Sequence, residues 1–326
     1  MPELVYAIIA ILVGFAGLVW SADRFVDGSA SIARAAGLSP LIIGLTIVSF
    51  GTSAPEILVS INAALEGAGD LAIGNALGSN LANIGLVLGA TVMLARLPIQ
   101  KHILMHEIPI LAAVTALGGY VLWDARVDLL DGALLLLTII PVMAYLIIVK
   151  KKDLNPAEQN AEEDIPNMSP KAAWLWFSIG LILLIISSKI LVWGATATAT
   201  LFGVSPLIIG LTVVAVGTSL PELAASIMSA MRGHHDIALG NVIGSNIFNL
   251  LAVMSVPAFI SPLMMDPNVF SRDYVAMAGI TAFLVCWVAI EYFRRRDKTR
   301  AGLGKALGLS LLTAYGAYYV WLFQSN

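Results

Sequence analysis

Apolar stretches about 20 residues long follow one another along almost the whole chain, separated by short clusters of charged, glycine and proline positions. About 20 apolar residues in a helix cross the hydrocarbon core of a bilayer. The pattern predicts about ten transmembrane helices, centred near Val13, Ala54, Ile84, Ala113 and Leu137, then Ile185, Leu220, Leu250, Phe283 and Leu312. The run Leu4 to Trp20 lacks a basic leader and a small-residue cleavage site, so it reads as the first span and not as a signal peptide. One interval breaks the rhythm. Residues 150–171, KKKDLNPAEQNAEEDIPNMSPK, have the Pro, Asn and Glu content of a surface connector and are too few to fold alone. They divide the chain into a first unit, 1–149, and a second, 172–326.

Composition agrees: 59% of the 326 residues are hydrophobic and 12% charged, which excludes a water-soluble globule. The net charge of −3 says less than where each charge falls. With the N-terminus outside, the loops after spans 1, 3, 5, 7 and 9 and their edges hold Arg24, Arg34, Arg96, Lys101, Lys150 to Lys152, Lys171, Arg232, Arg294 to Arg296, Lys298, Arg300 and Lys305. The other side keeps Arg126 and Arg272, with Lys189 in or beside span 6. Cationic loops stay in the cytoplasm, so both termini are expected outside and the 150–171 connector inside. The single cysteine, Cys286, excludes a disulfide framework and reads as a small buried hydrophobe.

Residues 39–89 align without a gap on 205–255, an offset of 166. SPLIIGLTIVSFGTSAPEILVSI matches SPLIIGLTVVAVGTSLPELAASI, and DLAIGNALGSNLAN matches DIALGNVIGSNIFN. Such self-similarity marks a duplicated unit. Five spans per unit is an odd number, so the second copy enters the membrane from the opposite side. The predicted fold is therefore an all-α polytopic membrane protein of two inverted five-helix repeats, a plan common in secondary transporters.

Each repeat carries GTS(A/L)PE in mid-span. Pro55 and Pro221 cannot donate a backbone hydrogen bond, and each opposes a carbonyl one turn earlier, near Gly51 in the first copy. Helices 2 and 7 should break there. Irregular backbone at bilayer depth survives only against protein or a polar cavity. The groups delivered to the break are oxygens: Thr52, Ser53 and Glu56, then Thr218, Ser219 and Glu222. Oxygen sets of this kind suit hard cations such as Ca²⁺. His102, His106, His234 and His235 lie in or beside loops, which argues against zinc or copper. A simple kink with protonated glutamates would account for one such hexapeptide. Two copies at matching depth argue for function, because a carboxylate there is costly.

Spans 3 and 8 supply a second wall. Ser79 and Asn83 share a helix face at i, i+4, as do Ser245 and Asn249, while Asn80 and Asn246 lie on a neighbouring stripe. Gly74 with Gly78, and Gly240 with Gly244, are small-xxx-small pairs that let helices approach. Asp70 and Asp236, at the starts of these spans, are expected to cap them.

These motifs resemble the α-repeats of the sodium/calcium exchanger family, in its prokaryotic branch of the calcium/cation antiporter superfamily, and the resemblance runs through the whole chain. It implies a midplane cluster of cation sites shared by spans 2, 3, 7 and 8. Glu56, Glu222, Thr52 and Thr218 would hold Ca²⁺. Ser53, Ser79, Asn83, Ser219 and Ser245 would add oxygens for Na⁺, with backbone carbonyls at Ser49 and Ala215. Spans 1 and 6 would slide across that core to alternate access. Some family members have Asp where this chain has Asn249, which leaves two carboxylates here. The expected function is antiport of Na⁺ against Ca²⁺, with H⁺ or K⁺ as alternative coupling ions. No cofactor, enzymatic activity or nucleic-acid partner is expected; the partners are the ions and the lipid bilayer. A channel would build its pore on an axis shared between subunits. A hydrolase lacks support, since H-E-x-x-H is missing and no intramembrane Ser/His pair is evident.

Overall fold

The computed structural model describes residues 2–152, 168–204, 213, 215–260, 263–266, 268–295, 297 and 300–325. Helices α1 (Pro2–Ala36), α2 (Pro40–Thr52), α3 (Ala54–Leu65) and α4 (Gly69–Leu94) lead to strand β1 (Leu97–Pro98). Then come α5 (Ile103–Leu122), β2 (Arg126–Val127) and α6 (Leu129–Lys152). The second half holds α7 (Pro170–Leu201), α8 (Ala215–Thr218), α9 (Leu220–Met231), α10 (His235–Ile260), β3 (Leu263–Met264), α11 (Val269–Arg294), β4 (Gly302–Leu303) and α12 (Lys305–Ser325). Among the described residues eight helices are long and apolar enough to cross a membrane, and α2 with α3 makes a ninth, bent by 42°. The predicted centres fall on those eight, on the bent pair and, for Leu220, on the shorter α9. Residues 153–167 of the connector lie outside the described residues.

Large side chains such as Leu130, Leu137, Ile140, Tyr120 and Trp123 are turned outward. In water so much exposed apolar surface would aggregate; in lipid it is the solvated face. Cys286 is exposed on this outer surface, not buried as its apolar setting suggested. An apolar sequence cannot tell a core face from a lipid face, because both are hydrocarbon.

Helix boundaries follow from local chemistry. Gly37 (φ 62°) ends α1 with Leu38 N bonded to Ala33 O, then Ser39 accepts from Ile42 N and Pro40 opens α2. Gly203 (φ 77°) ends α7 in the same way, with Val204 N bonded to Ala199 O. Gly67 and Gly233 repeat the pattern after α3 and α9. All these equivalences keep the offset of 166.

Helices α1 and α7 lie antiparallel along a seam of glycines. A Cβ on Gly28 would sit 2.5 Å from Phe177 N, and one on its repeat mate Gly194 2.7 Å from Ala7 O. Gly14 and Gly180 form a second such pair, so the two backbones interlock as one body. At the ends of the bundle the halves exchange strands: β1 pairs with β4, and β2 with β3. Each pairing joins loops that the alternating span pattern assigns to a single side of the membrane. Arg232 meeting Asp23, and Gln100 donating to Asp236, obey the same parity.

One expectation changes. Helix α4 starts at Gly69 and α10 at His235, which puts Asp70 and Asp236 inside the first turn. Neither caps; the N-cap residues are Ala68 and His234, without side-chain caps, and Asp236 accepts from Gln100 instead. Their carboxylates still face the positive helix ends. The close approach expected of the glycine pairs is seen for the second: a Cβ on Gly240 would meet Leu41 O at 2.7 Å and one on Gly244 Ser49 Oγ at 2.5 Å. For Gly74 and Gly78 the matching stretch, residues 205–212, lies outside the described residues.

Candidate ion-binding site

The chain bends at Ser53 (φ −83°, ψ 3°) and again at Ser219 (φ −88°, ψ 5°). Each proline then lies in the first turn of the following helix, where no donor is required. The break falls two residues later than Gly51, which stays helical. The two bends are not identical: Ser53 N reaches back to Ser49 O, Ser219 N only to Val216 O.

Glu56 and Glu222 follow the bends, each 1% exposed. Among the described residues neither has a basic partner, and no three His, Cys, Asp or Glu side chains gather as a metal site. Neutral oxygens surround them. Ser53 Oγ donates to Glu222 Oε1 at 3.3 Å, joining the two halves through the site. Thr52, fully buried, donates to Asn241 Oδ1 at 3.1 Å and to Ser49 O at 3.3 Å. Thr218 ends α8 and is half-buried; Ala215 begins that helix.

Asn83 and Asn249 each open a π-helical stretch, Asn83–Leu88 and Asn249–Val253. Such bulges expose backbone and often occur at functional positions. The stretch at Asn83 packs against α9, which carries Glu222, and that at Asn249 packs against α3, which carries Glu56. Each asparagine therefore opens a stretch that packs on the helix bearing the other repeat's glutamate. Ser79 and Ser245 are buried one turn earlier.

Sequence reasoning missed two residues that hold the breaks in place. Asn75 Nδ2 donates to Glu56 O at 3.2 Å and to Ser60 Oγ at 3.3 Å. Asn241 Nδ2 donates to Glu222 O at 3.3 Å and to Ser226 Oγ at 2.9 Å, the same pattern 166 positions on. The signal was present. Asn75, Ser79 and Asn83 recur at i, i+4 and i+8, so the polar face extends one turn further back than the Ser/Asn pair. Asn80, by contrast, donates to Asn246 O at 3.2 Å and ties α4 to α10.

Fully buried atoms without a hydrogen-bond partner include Glu56 Oε2, Glu222 Oε2, Asn83 Oδ1, Asn249 Oδ1, Ser219 Oγ and Ser245 Oγ. An orphaned buried oxygen costs about 1–3 kcal/mol, more when charged. Oxygens of this kind, two of them on carboxylates, suit desolvated hard cations as cargo. A duplicated helical membrane fold whose two copies each carry an oxygen-bearing helix break is the architecture of secondary cation transporters.

The comparisons with known proteins agree. The family model described as sodium/calcium exchanger protein matches residues 6–149 and 172–324. The chain is 44% identical to the putative antiporter CaxA of Alkalimonas amylolytica, covering 98% of this chain and 99% of that one. It is 39% identical to the inner membrane protein YrbG of Escherichia coli (strain K12), over 96% and 94%. A solved structure of the sodium-calcium exchanger NCX_Mj superposes with a TM-score of 0.81 at 28% identity, over 98% and 99%. The chain belongs to the sodium/calcium exchanger family.

Proposed function

We propose that this protein exchanges Na⁺ for Ca²⁺ by alternating access, with both termini outside and the 150–171 connector in the cytoplasm. The observation that carries the reading is the set of buried oxygens without a hydrogen-bond partner that both repeats contribute, Glu56 Oε2 and Glu222 Oε2 among them. Thr52, Ser53, Ser79 and Asn83, their repeat mates Thr218, Ser219, Ser245 and Asn249, and the carbonyls of Ser49 and Ala215 complete the ligand set. The interlocked α1/α7 pair is the moving body; Ser188 Oγ already reaches Gly217 O, at the break it would slide past. The test is uptake of radiolabelled calcium into proteoliposomes with and without an outward sodium gradient. Uptake that ignores sodium but follows a proton gradient would replace Na⁺ by H⁺ as the coupling ion.

Two glutamates balance one Ca²⁺ or two Na⁺, but the neutral oxygens give room for a third Na⁺. Exchange should then be 3:1 and electrogenic. In sodium-loaded vesicles three Na⁺ leave for each Ca²⁺ that enters, so an inside-positive potential should accelerate uptake. One charge is worth ~2.3 kcal/mol per 100 mV, so about 60 mV changes the driving equilibrium roughly tenfold. A rate indifferent to potential would mean 2:1 exchange.

Asn249→Asp adds a third carboxylate beside the α3 helix of Glu56. Its ionisation is coupled to the existing pair. The variant's flux should therefore depend more steeply on pH or on added monovalent cation than the parent's. Superimposable pH and ion profiles would place Asn249 outside the site.

A further inference from the structure

A second cavity, far from the glutamates, opens where the ends of α4, α11 and α12 meet beside the β1–β4 pair. Its volume is about 440 Å³. Arg96, Arg294, Arg295 and Lys305 line it together with one carboxylate, Glu291, and with Trp287 and Met93. Glu291 holds both neighbouring guanidinium groups, Arg294 Nη2 at 3.1 Å and Arg295 Nε at 2.8 Å. Arg96 is anchored on the carbonyl of Arg300, and Lys305 is exposed at the start of α12. Among the described residues neither Arg96 nor Lys305 has a carboxylate partner, so their charges add to the cavity beyond what Glu291 balances. Cations on this side satisfy the topology rule wherever they sit; they need no pocket around them. Nor does the fold require cations here. The equivalent turn after α5 carries Asp124, Asp128 and Asp131, which close it through backbone amides.

We propose that this cavity binds the phosphodiester headgroup of an anionic phospholipid. Fixed guanidinium groups suit a phosphate oxygen cluster, and basic pockets between helices at a membrane surface recognise such headgroups. The flank of the cavity decides between a lipid and a free anion. Leu94, in its wall, is 64% exposed, and Ile290, Phe293 and Leu309, on the α11 and α12 helices that line it, are 64%, 69% and 62% exposed, an apolar surface for acyl chains. Phosphate alone would leave that surface unused.

The test measures binding to the purified full-length protein in neutral detergent, with dioctanoyl phosphatidylglycerol, dioctanoyl phosphatidylcholine and inorganic phosphate as probes. The expected result is phosphatidylglycerol binding at least tenfold tighter than phosphatidylcholine. The double variant Arg96→Gln/Lys305→Gln should lose that preference while melting at the parent's temperature. Both side chains are exposed; should this variant unfold, Lys305→Gln alone is expected to weaken phosphatidylglycerol binding severalfold. Equal binding of the two lipids, or a folded variant that keeps the preference, overturns the site. Inorganic phosphate binding as tightly as phosphatidylglycerol, and competing with it, overturns the lipid assignment. The readout is binding and not flux, so it stands apart from which ion drives transport.

Discussion

Glu56→Gln and Glu222→Gln should each reduce sodium-driven calcium flux at least a hundredfold without unfolding the protein. Glutamine keeps the shape of the side chain and one carbonyl oxygen. Ser53 can still donate at position 222, and the backbone carbonyls of both positions remain held by Asn75 and Asn241. What is lost is one of the two buried carboxylates that the proposed mechanism sets against a divalent ion. Leaving a buried charge uncompensated costs about 3–5 kcal/mol, which is a hundredfold or more in occupancy. The repeats make the two losses comparable, since neither half supplies a spare carboxylate. Flux in proteoliposomes, normalised to folded protein by size-exclusion profile and melting temperature, decides the matter. Near-normal flux from either variant would remove that glutamate from the site.

The inverted plan was legible because the same local physics acts twice. A GTSxPE break and a small-residue face recur at a constant offset, and an odd number of spans between copies forces inversion. The burial of the polar side chains was legible too, since oxygen-bearing groups in a long apolar run are costly enough to be informative. Other features depend on tertiary placement. Ser53 takes up the bend, two residues past Gly51, because only there can a bridge conformation leave Pro55 in a first helical turn. The π stretches that begin at Asn83 and Asn249 leave no mark in a hydropathy pattern. Asn75 and Asn241 read as ordinary polar positions until Glu56 O and Glu222 O are found beneath them. Cys286 shows the same limit, since lipid and core present one chemistry to an apolar side chain.

Alternation itself should be held by an ion-pair latch at one end of the bundle. Arg232, at the C-terminal cap of α9, contacts Asp23 on α1, and its Nη1 lies 3.8 Å from Asp27 Oδ1. The latch thus joins the moving pair to the glutamate-bearing helices. Exposed pairs such as Asp23–Arg232 contribute about 0.5 kcal/mol. The Asp27 side chain is only 7% exposed, so removing its neighbouring cation costs more. Together they bias the two access states by about 1–2 kcal/mol, roughly tenfold. The repeat mates of Asp23 and Arg232 are Lys189 and Glu66, the same pair with its charges exchanged. Glu66 caps α3 as Arg232 caps α9. Lys189 and Glu66 are both exposed, and no ion pair joins them among the described residues. In a Cys286→Ala background, bridging Asp23→Cys/Arg232→Cys with a reducible bifunctional thiol cross-linker long enough to replace the Arg–Asp contact should cut sodium-driven calcium flux at least tenfold, and reductant should restore it. Lys189→Cys/Glu66→Cys should cross-link more slowly in the resting protein and faster once both ions are supplied and the transporter cycles. A cross-linked Asp23→Cys/Arg232→Cys protein that transports at the parental rate would show that α1 does not part from α9 at this end, and the latch would have to be abandoned.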